Sequence, residues 1–178
     1  MCLFFKIYIR GFGKIMKLTD IVSKEDVIEQ LVSTTKEGVI EELVGYMVER
    51  GKISKEDREG VMGEILSRES LGSTGIGNGL AIPHYKKSKY VQEVVAVFGK
   101  SAQGIDFSSL DGELSYLFFL FISPEKYSET DPPHLKILKK LSLLGRDNDF
   151  CRFLREAKSR EEIYELIEEI DQNLSISA

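Results

Sequence analysis

Tryptophan is absent from this sequence, and cysteine, histidine and proline are scarce, with two, two and four residues. The two cysteines, Cys2 and Cys151, stand too far apart for a redox or metal-binding spacing. They read as free thiols in a reducing cytoplasm. Two histidines and two cysteines so dispersed also make a poor zinc site, which needs four ligands. An apolar run long enough to cross a bilayer is missing: the opening stretch MCLFFKIYIRGFGKI is interrupted by Lys6 and Arg10. That stretch lacks the basic leader and small-residue cleavage site of a signal peptide. Residues 1–16 therefore read as an N-terminal extension, with Met16 opening a more ordinary start, MKLTDIV; the alternative is a weak membrane-surface segment. Excess positive charge is missing too. A net charge of −5 and a pI near 5.2 argue against broad affinity for nucleic acid or anionic membranes.

What is present fits one soluble α/β domain. The chain has 178 residues, 42% apolar and 30% charged, enough to bury a sizeable core. LTDIV suggests a helical turn and DVIEQLVS a short strand, with Val27, Glu29 and Leu31 on one face. A helix follows, opened by a capping box of Thr34 and Glu37 and closed at Gly51. Val39, Ile40, Leu43, Val44, Met47 and Val48 share its apolar face. A second helix begins from Ser54 as N-cap and buries Val61, Met62, Ile65 and Leu66. VVAVFG and SYLFFLFI read as buried strands, the latter covered on both faces, and SAQGIDFSSLDGE as turns with a short strand. Three more helices follow in HLKILKKLSLLGR, with Leu135, Leu138, Leu141 and Leu144 in its stripe, NDFCRFLREA and SREEIYELIEEI. Ser159 and Glu162 make a capping box for the last. The pattern predicts helices on both sides of a central sheet.

Residues 72–87, GSTGIGNGLAIPHYKK, concentrate glycine beside His84. A dinucleotide fingerprint needs a strand before the glycines and a helix after them; here a helix precedes and a short strand ending at Pro83 follows. The Gly-Lys-Ser/Thr ending of a nucleotide P-loop is absent. What remains is a turn that brings backbone amides, natural anion ligands, close to an imidazole. Arg68 and Thr74 are near in sequence, and His134 opens a helix after two prolines, where free N–H groups favour an anion. An imidazole nucleophile, an arginine, a second histidine and an amide nest together point to phosphoryl transfer.

At these residues the chain closely resembles a known family. SRESLGSTGIGNGLAIPH, followed some distance on by HLKILKKLS, resembles the enzyme IIA domain of the fructose–mannitol class of the bacterial phosphotransferase system, nearest its nitrogen-regulatory branch. The resemblance assigns residues 17–172 to that domain and leaves 173–178 as a tail. It implies a mixed sheet of about five strands flanked by helices on both sides. It implies that His84 accepts a phosphoryl group, through Nε2, from the phosphohistidine of a small HPr-like carrier protein. His134 matches the family's second active-site histidine and Arg68 its active-site arginine. One departure stands out: Tyr85 occupies a position that is small in many relatives, which bears on the docking surface.

The chemistry expected is attack by neutral His84 on the carrier's phosphohistidine, with no metal or cofactor. An imidazole of ordinary pKa is roughly three-quarters neutral at pH 7, so no general base is needed. Arg68, His134 and the groups of Ser73 and Thr74 would stabilise the loose, anionic phosphoryl group. Glu69 reads as a structural or solvent partner, and Lys86 and Lys87 as a solvated face or as docking charges for acidic partners. Three roles compete: a regulatory protein switched by phosphate on His84, a sugar-transport component passing phosphate to a IIB domain, and a phosphate-independent binding module. The first is favoured by the resemblance. Sequence leaves the oligomeric state open.

Overall fold

The computed structural model describes residues 17–127 and 132–176. The N-terminal extension, the membrane-surface alternative and Cys2 lie outside the described residues.

The strongest apolar run builds the centre. Strand β6 (Ser115–Pro124) buries Leu117, Phe119 and Phe121 toward one face and Phe118, Leu120 and Ile122 toward the other. Alternation of side chains along a strand makes a continuous apolar run a strand with two covered faces. Along one side β6 pairs antiparallel with β5 (Val95–Ile105), and β5 pairs parallel with the two-residue β1 (Val27–Ile28). Along its other side β6 pairs in succession with β3 (Leu80–Ala81) and β4 (His84–Ser88), both parallel. The β2 strand (Gly75–Gly77) pairs antiparallel with β3. The result is a mixed six-stranded sheet in one domain, one strand more than expected.

Helices cover both faces. On one lie α1 (Lys36–Glu49) and α2 (Arg58–Ser70), packed through Val39, Ile40, Leu43, Met47, Val61 and Ile65. On the other lie α3 (Pro133–Leu144), α4 (Asn148–Glu156) and α5 (Arg160–Ile176), packed through Ile137, Leu141, Phe150, Leu154, Ile163 and Ile167.

Several local expectations shift. The cap of α1 is Thr35, whose hydroxyl accepts the Gly38 N–H at 3.1 Å; Thr34 sits one residue too early. The helix after Ser54 begins only at Arg58, because Ser54 and Asp57 close a turn of their own, hydroxyl to carboxylate at 2.7 Å. DVIEQLVS pairs for two residues only. Beyond Ile28 the Gln30 side chain, not its backbone, accepts the Ala102 N–H, and Leu31 crosses to the α1 side of the sheet while Val27 stays on the other. In SAQGIDFSSLDGE the strand expected among the turns is the continuation of β5 to Ile105, and the turns follow it. Leu135 faces outward at 61% exposure, and His134, one residue earlier, takes the inward place. Ser159 does accept the Glu162 N–H, but Glu162 reaches back to the Lys158 amide, one residue before the place a capping box requires. Gly51 ends α1 as expected, at φ +67°.

Candidate active site

His84 opens β4, just after the chain breaks from β3 at Ile82 and Pro83. Its Nδ1 lies 2.7 Å from the Ile82 carbonyl oxygen. A carbonyl only accepts, so Nδ1 carries the proton and the neutral ring holds its lone pair on Nε2. The ring is largely buried and stacks on Phe121 at a centroid distance of 5.6 Å. Burial lowers its pKa below the usual histidine value; the Ile82 bond works the other way, and the charges of Arg68 and Lys86 add to the depression while Glu69 opposes it.

His134 stands at the second position of α3, its ring centroid 5.2 Å from that of His84 and edge-on to it. It is 3% exposed, and its Nδ1 is 3.0 Å from the Ser123 hydroxyl. Burial pushes its pKa down to about 4, with help from the charges of His84, Lys86 and Arg68. Both imidazoles are thus neutral at neutral pH, one beside the other. Proline at the helix start explains the placement: Pro133 begins α3 without needing a donor, and the turn that follows directs His134 inward.

Arg68 sits in the last turn of α2, where its guanidinium donates to the Gly72 carbonyl at 3.1 Å and its charge reaches both histidines. The Ser73 hydroxyl and both donors of Thr74 bond within the protein. The Thr74 amide and hydroxyl both donate to Glu69, at 2.9 and 2.6 Å. The Ser73 hydroxyl donates to the Phe107 carbonyl and accepts the Gly75 amide. The Asn78 amide donates to Asp111 at 2.8 Å. These donors of the glycine turn, expected to face an incoming anion, hold carboxylates and a hydroxyl of the chain itself. Thr74 and the Ser73 hydroxyl thus shape the turn beside His84 through bonds within the chain. Glu69 is the structural partner that their sequence neighbourhood suggested.

Sequence reasoning missed Phe121 and Ser123, which come from the far end of β6, and the electrostatic reach of Lys86. Alternation along β4 places Lys86 two residues from His84, which was a readable signal. A lone buried serine ending an apolar strand was another. Beside the histidine pair a cleft is lined by Lys86, Lys87, Glu125, Tyr127, His134 and Leu135. Tyr85 packs its side chain against the α1–α2 side of the core, away from that cleft. Cys151, on the buried face of α4, has its thiol pushed up to about 11 by burial, which disfavours the reactive thiolate. Among the described residues no group of three His, Cys, Asp or Glu is arranged to hold a metal ion, and no helix is long and apolar enough to cross a membrane.

Residues 20–170 match the family described as phosphoenolpyruvate-dependent sugar phosphotransferase system, EIIA 2. A fructose-specific EIIABC component of this system from Bacillus subtilis is 37% identical over 88% of the chain, which spans 24% of that longer protein. A nitrogen regulatory protein from Bradyrhizobium diazoefficiens is 32% identical over 85% of the chain and 95% of its own length. The crystal structure of nitrogen regulatory protein IIA-Ntr from Neisseria meningitidis superposes with a TM-score of 0.73 at 25% identity, covering 83% of this chain and 97% of that one.

Proposed function

Since the chain belongs to the EIIA 2 family of the phosphoenolpyruvate-dependent sugar phosphotransferase system, we propose that it is a cytoplasmic phosphoryl carrier whose acceptor is His84 Nε2. One observation carries the assignment: the Ile82 carbonyl holds the Nδ1 proton of a buried, neutral imidazole and leaves Nε2 as the nucleophile. In the reaction the Nε2 lone pair attacks the phosphorus of a phosphohistidine on an HPr-like carrier. The new N–P bond forms as the carrier's N–P bond breaks, and the carrier's imidazole leaves with that electron pair. The proton stays on His84 Nδ1, donated to the Ile82 carbonyl, throughout. Acceptor and leaving group are alike, so the transfer is nearly isoenergetic and runs both ways. Arg68 supplies positive charge to the migrating group, and His134, buried edge-on to the acceptor, supports it at close range. Ser73 and Thr74 serve by holding the turn. No metal or cofactor enters this scheme.

In this reading the outlet is regulatory: phosphate on His84 adds about two negative charges beside a cleft rimmed by Lys86 and Lys87 and so changes which partner docks there. The near end-to-end match to nitrogen regulatory proteins supports it. A second outlet, transfer to a IIB domain in sugar transport, is favoured by the higher identity to the fructose-specific relative.

The test supplies phosphoenolpyruvate, enzyme I and a carrier protein, and reads phosphoryl uptake by intact mass at neutral or alkaline pH. Wild type is expected to gain one acid-labile phosphoryl group and His84→Ala none. His134→Ala is expected to reach the same stoichiometry more slowly, by about a hundredfold. Phosphate that stays on His84 when fructose-type IIB domains are added supports the regulatory outlet, and rapid discharge supports transport. No uptake from several carriers would leave a phosphate-independent binding module.

A further inference from the structure

Lys36 stands in the first turn of α1, far from His84 in sequence, and no motif links the two. In the fold its ammonium lies 2.7 Å from Glu69 Oε1 and donates to the Phe107 carbonyl at 3.3 Å. It also sits 4.8 Å from the centroid of the Phe107 ring. Glu69 is 6% exposed and gathers the amide and the hydroxyl of Thr74. The Thr74 carbonyl accepts the Ile82 N–H at 3.0 Å, and the Ile82 carbonyl accepts the His84 Nδ1–H. An unbroken series of polar contacts therefore runs from Lys36 through Glu69, Thr74 and Ile82 to the nucleophilic ring. Ser73 makes a second branch by donating to the same Phe107 carbonyl as Lys36.

A largely buried ion pair is weak grounds for stability by itself, since desolvation offsets much of the attraction. What distinguishes this pair is where its carboxylate is used. Glu69 organises two donors of the turn that abuts the His84 strand, and its charge is felt by His84. We propose that Lys36 is a positioning residue of the phosphoryl-transfer site: by holding Glu69 it fixes the Ser73–Thr74 turn and, through Thr74, the Ile82 peptide that orients the His84 ring. The inference rests on His84 as the phosphoryl acceptor.

Among the described residues, the charged and titratable groups facing His84 are Arg68 and Glu69 from α2, Lys86 from β4 and His134 from α3; β6 presents the apolar Phe121. With Lys36 in place the Glu69 charge is matched. Without it, Glu69 is an unmatched anion beside the imidazole and favours the protonated, non-nucleophilic ring.

The test follows the His84 ring by nitrogen-resolved NMR titration in the full chain, as wild type, Lys36→Met, Lys36→Arg, Glu69→Gln and the Lys36→Met/Glu69→Gln double variant. Single-turnover uptake from a phosphorylated carrier is measured on the same proteins. Lys36→Met is expected to move the His84 midpoint upward and to slow uptake at pH 7 by about tenfold or more. Lys36→Arg restores both. Glu69→Gln moves the midpoint downward, and the double variant returns it toward wild type. A Lys36→Met protein that has lost stability but keeps the wild-type midpoint, Nδ1–H tautomer and rate overturns the proposal. If that variant does not fold, an unshifted midpoint in both proteins carrying Glu69→Gln overturns it equally. Should wild type take up no phosphate, the functional reading fails, while the titration still decides whether Lys36 governs the ring.

Discussion

At the scale of single residues, the two histidines are tuned by the same means and for different ends. Burial favours the neutral form of each, and in the proposed transfer the neutral His84 ring is the one that attacks. Uptake is therefore expected to be flat through neutral pH and to fall on the acid side with a midpoint below 6.5, read from single-turnover rates across pH. The same burial links folding to pH. An unfolded His134 binds a proton below about 6.5, whereas the folded one waits until about 4. The stability it contributes is whole above pH 6.5 and is lost as pH falls toward 4, by about 3 kcal/mol. Urea denaturation at both ends of that window checks this, and His134→Phe is expected to flatten the difference. His84, His134 and Arg68 were legible in the sequence because each sits in a recognisable local pattern. Phe121, Ser123, Glu69's ligation of Thr74 and the reach of Lys36 were not. Those contacts are made by β6 and α1, which only the folded topology brings to the site.

At the scale of elements, periodicity did most of the work and fell short where elements are brief. The five helices carry enough turns for a 3.6-residue pattern to show. The β1, β2 and β3 strands span two or three residues each, too few for alternation to register. Their places are set by neighbours. Gly75 in β2 is an example: a Cβ there would fall 2.4 Å from the Ser109 hydroxyl and 2.9 Å from the Ser109 Cα. A backbone atom cannot swing aside, so β2 and the Ser109 turn would have to separate. Gly75→Ala is expected to cost about 2 kcal/mol in thermal or chemical denaturation and, by shifting the Thr74 turn, to slow uptake as well. The same change at Gly63, inside α2 where a Cβ meets nothing, is the control and is expected to stabilise by up to about 1 kcal/mol.

At the scale of the whole molecule, the two ends of the described chain are tied together by one carboxylate. Asp171 in α5 accepts the Leu18 and Thr19 amides at 2.9 and 2.8 Å, the Thr19 hydroxyl at 2.9 Å and the Lys140 ammonium of α3. Burial works against its charge, yet the Lys140 pair and these donors hold its pKa below the usual carboxylate value. Asp171→Asn removes a charge paired with buried Lys140 and the strongest acceptor of the Leu18 and Thr19 amides, and is expected to lower stability by about 3 kcal/mol, with His84 chemistry intact in the folded fraction. Denaturation set beside uptake at low temperature separates the two effects. None of this clasp was visible in the sequence, because its parts lie at opposite ends of the described chain. The sheet's unequal sides carry a last consequence. The β4 strand pairs with β6 alone, so among the described residues its outer rim has no partner strand. Open rims are templates on which protein molecules stack into aggregates. Here the rim bears Lys86 and Lys87, and Lys87 adopts φ +63°, which breaks the register between Tyr85 and Ser88. The rim on the His84 strand thus discourages a second copy of this protein from adding itself as an extra strand.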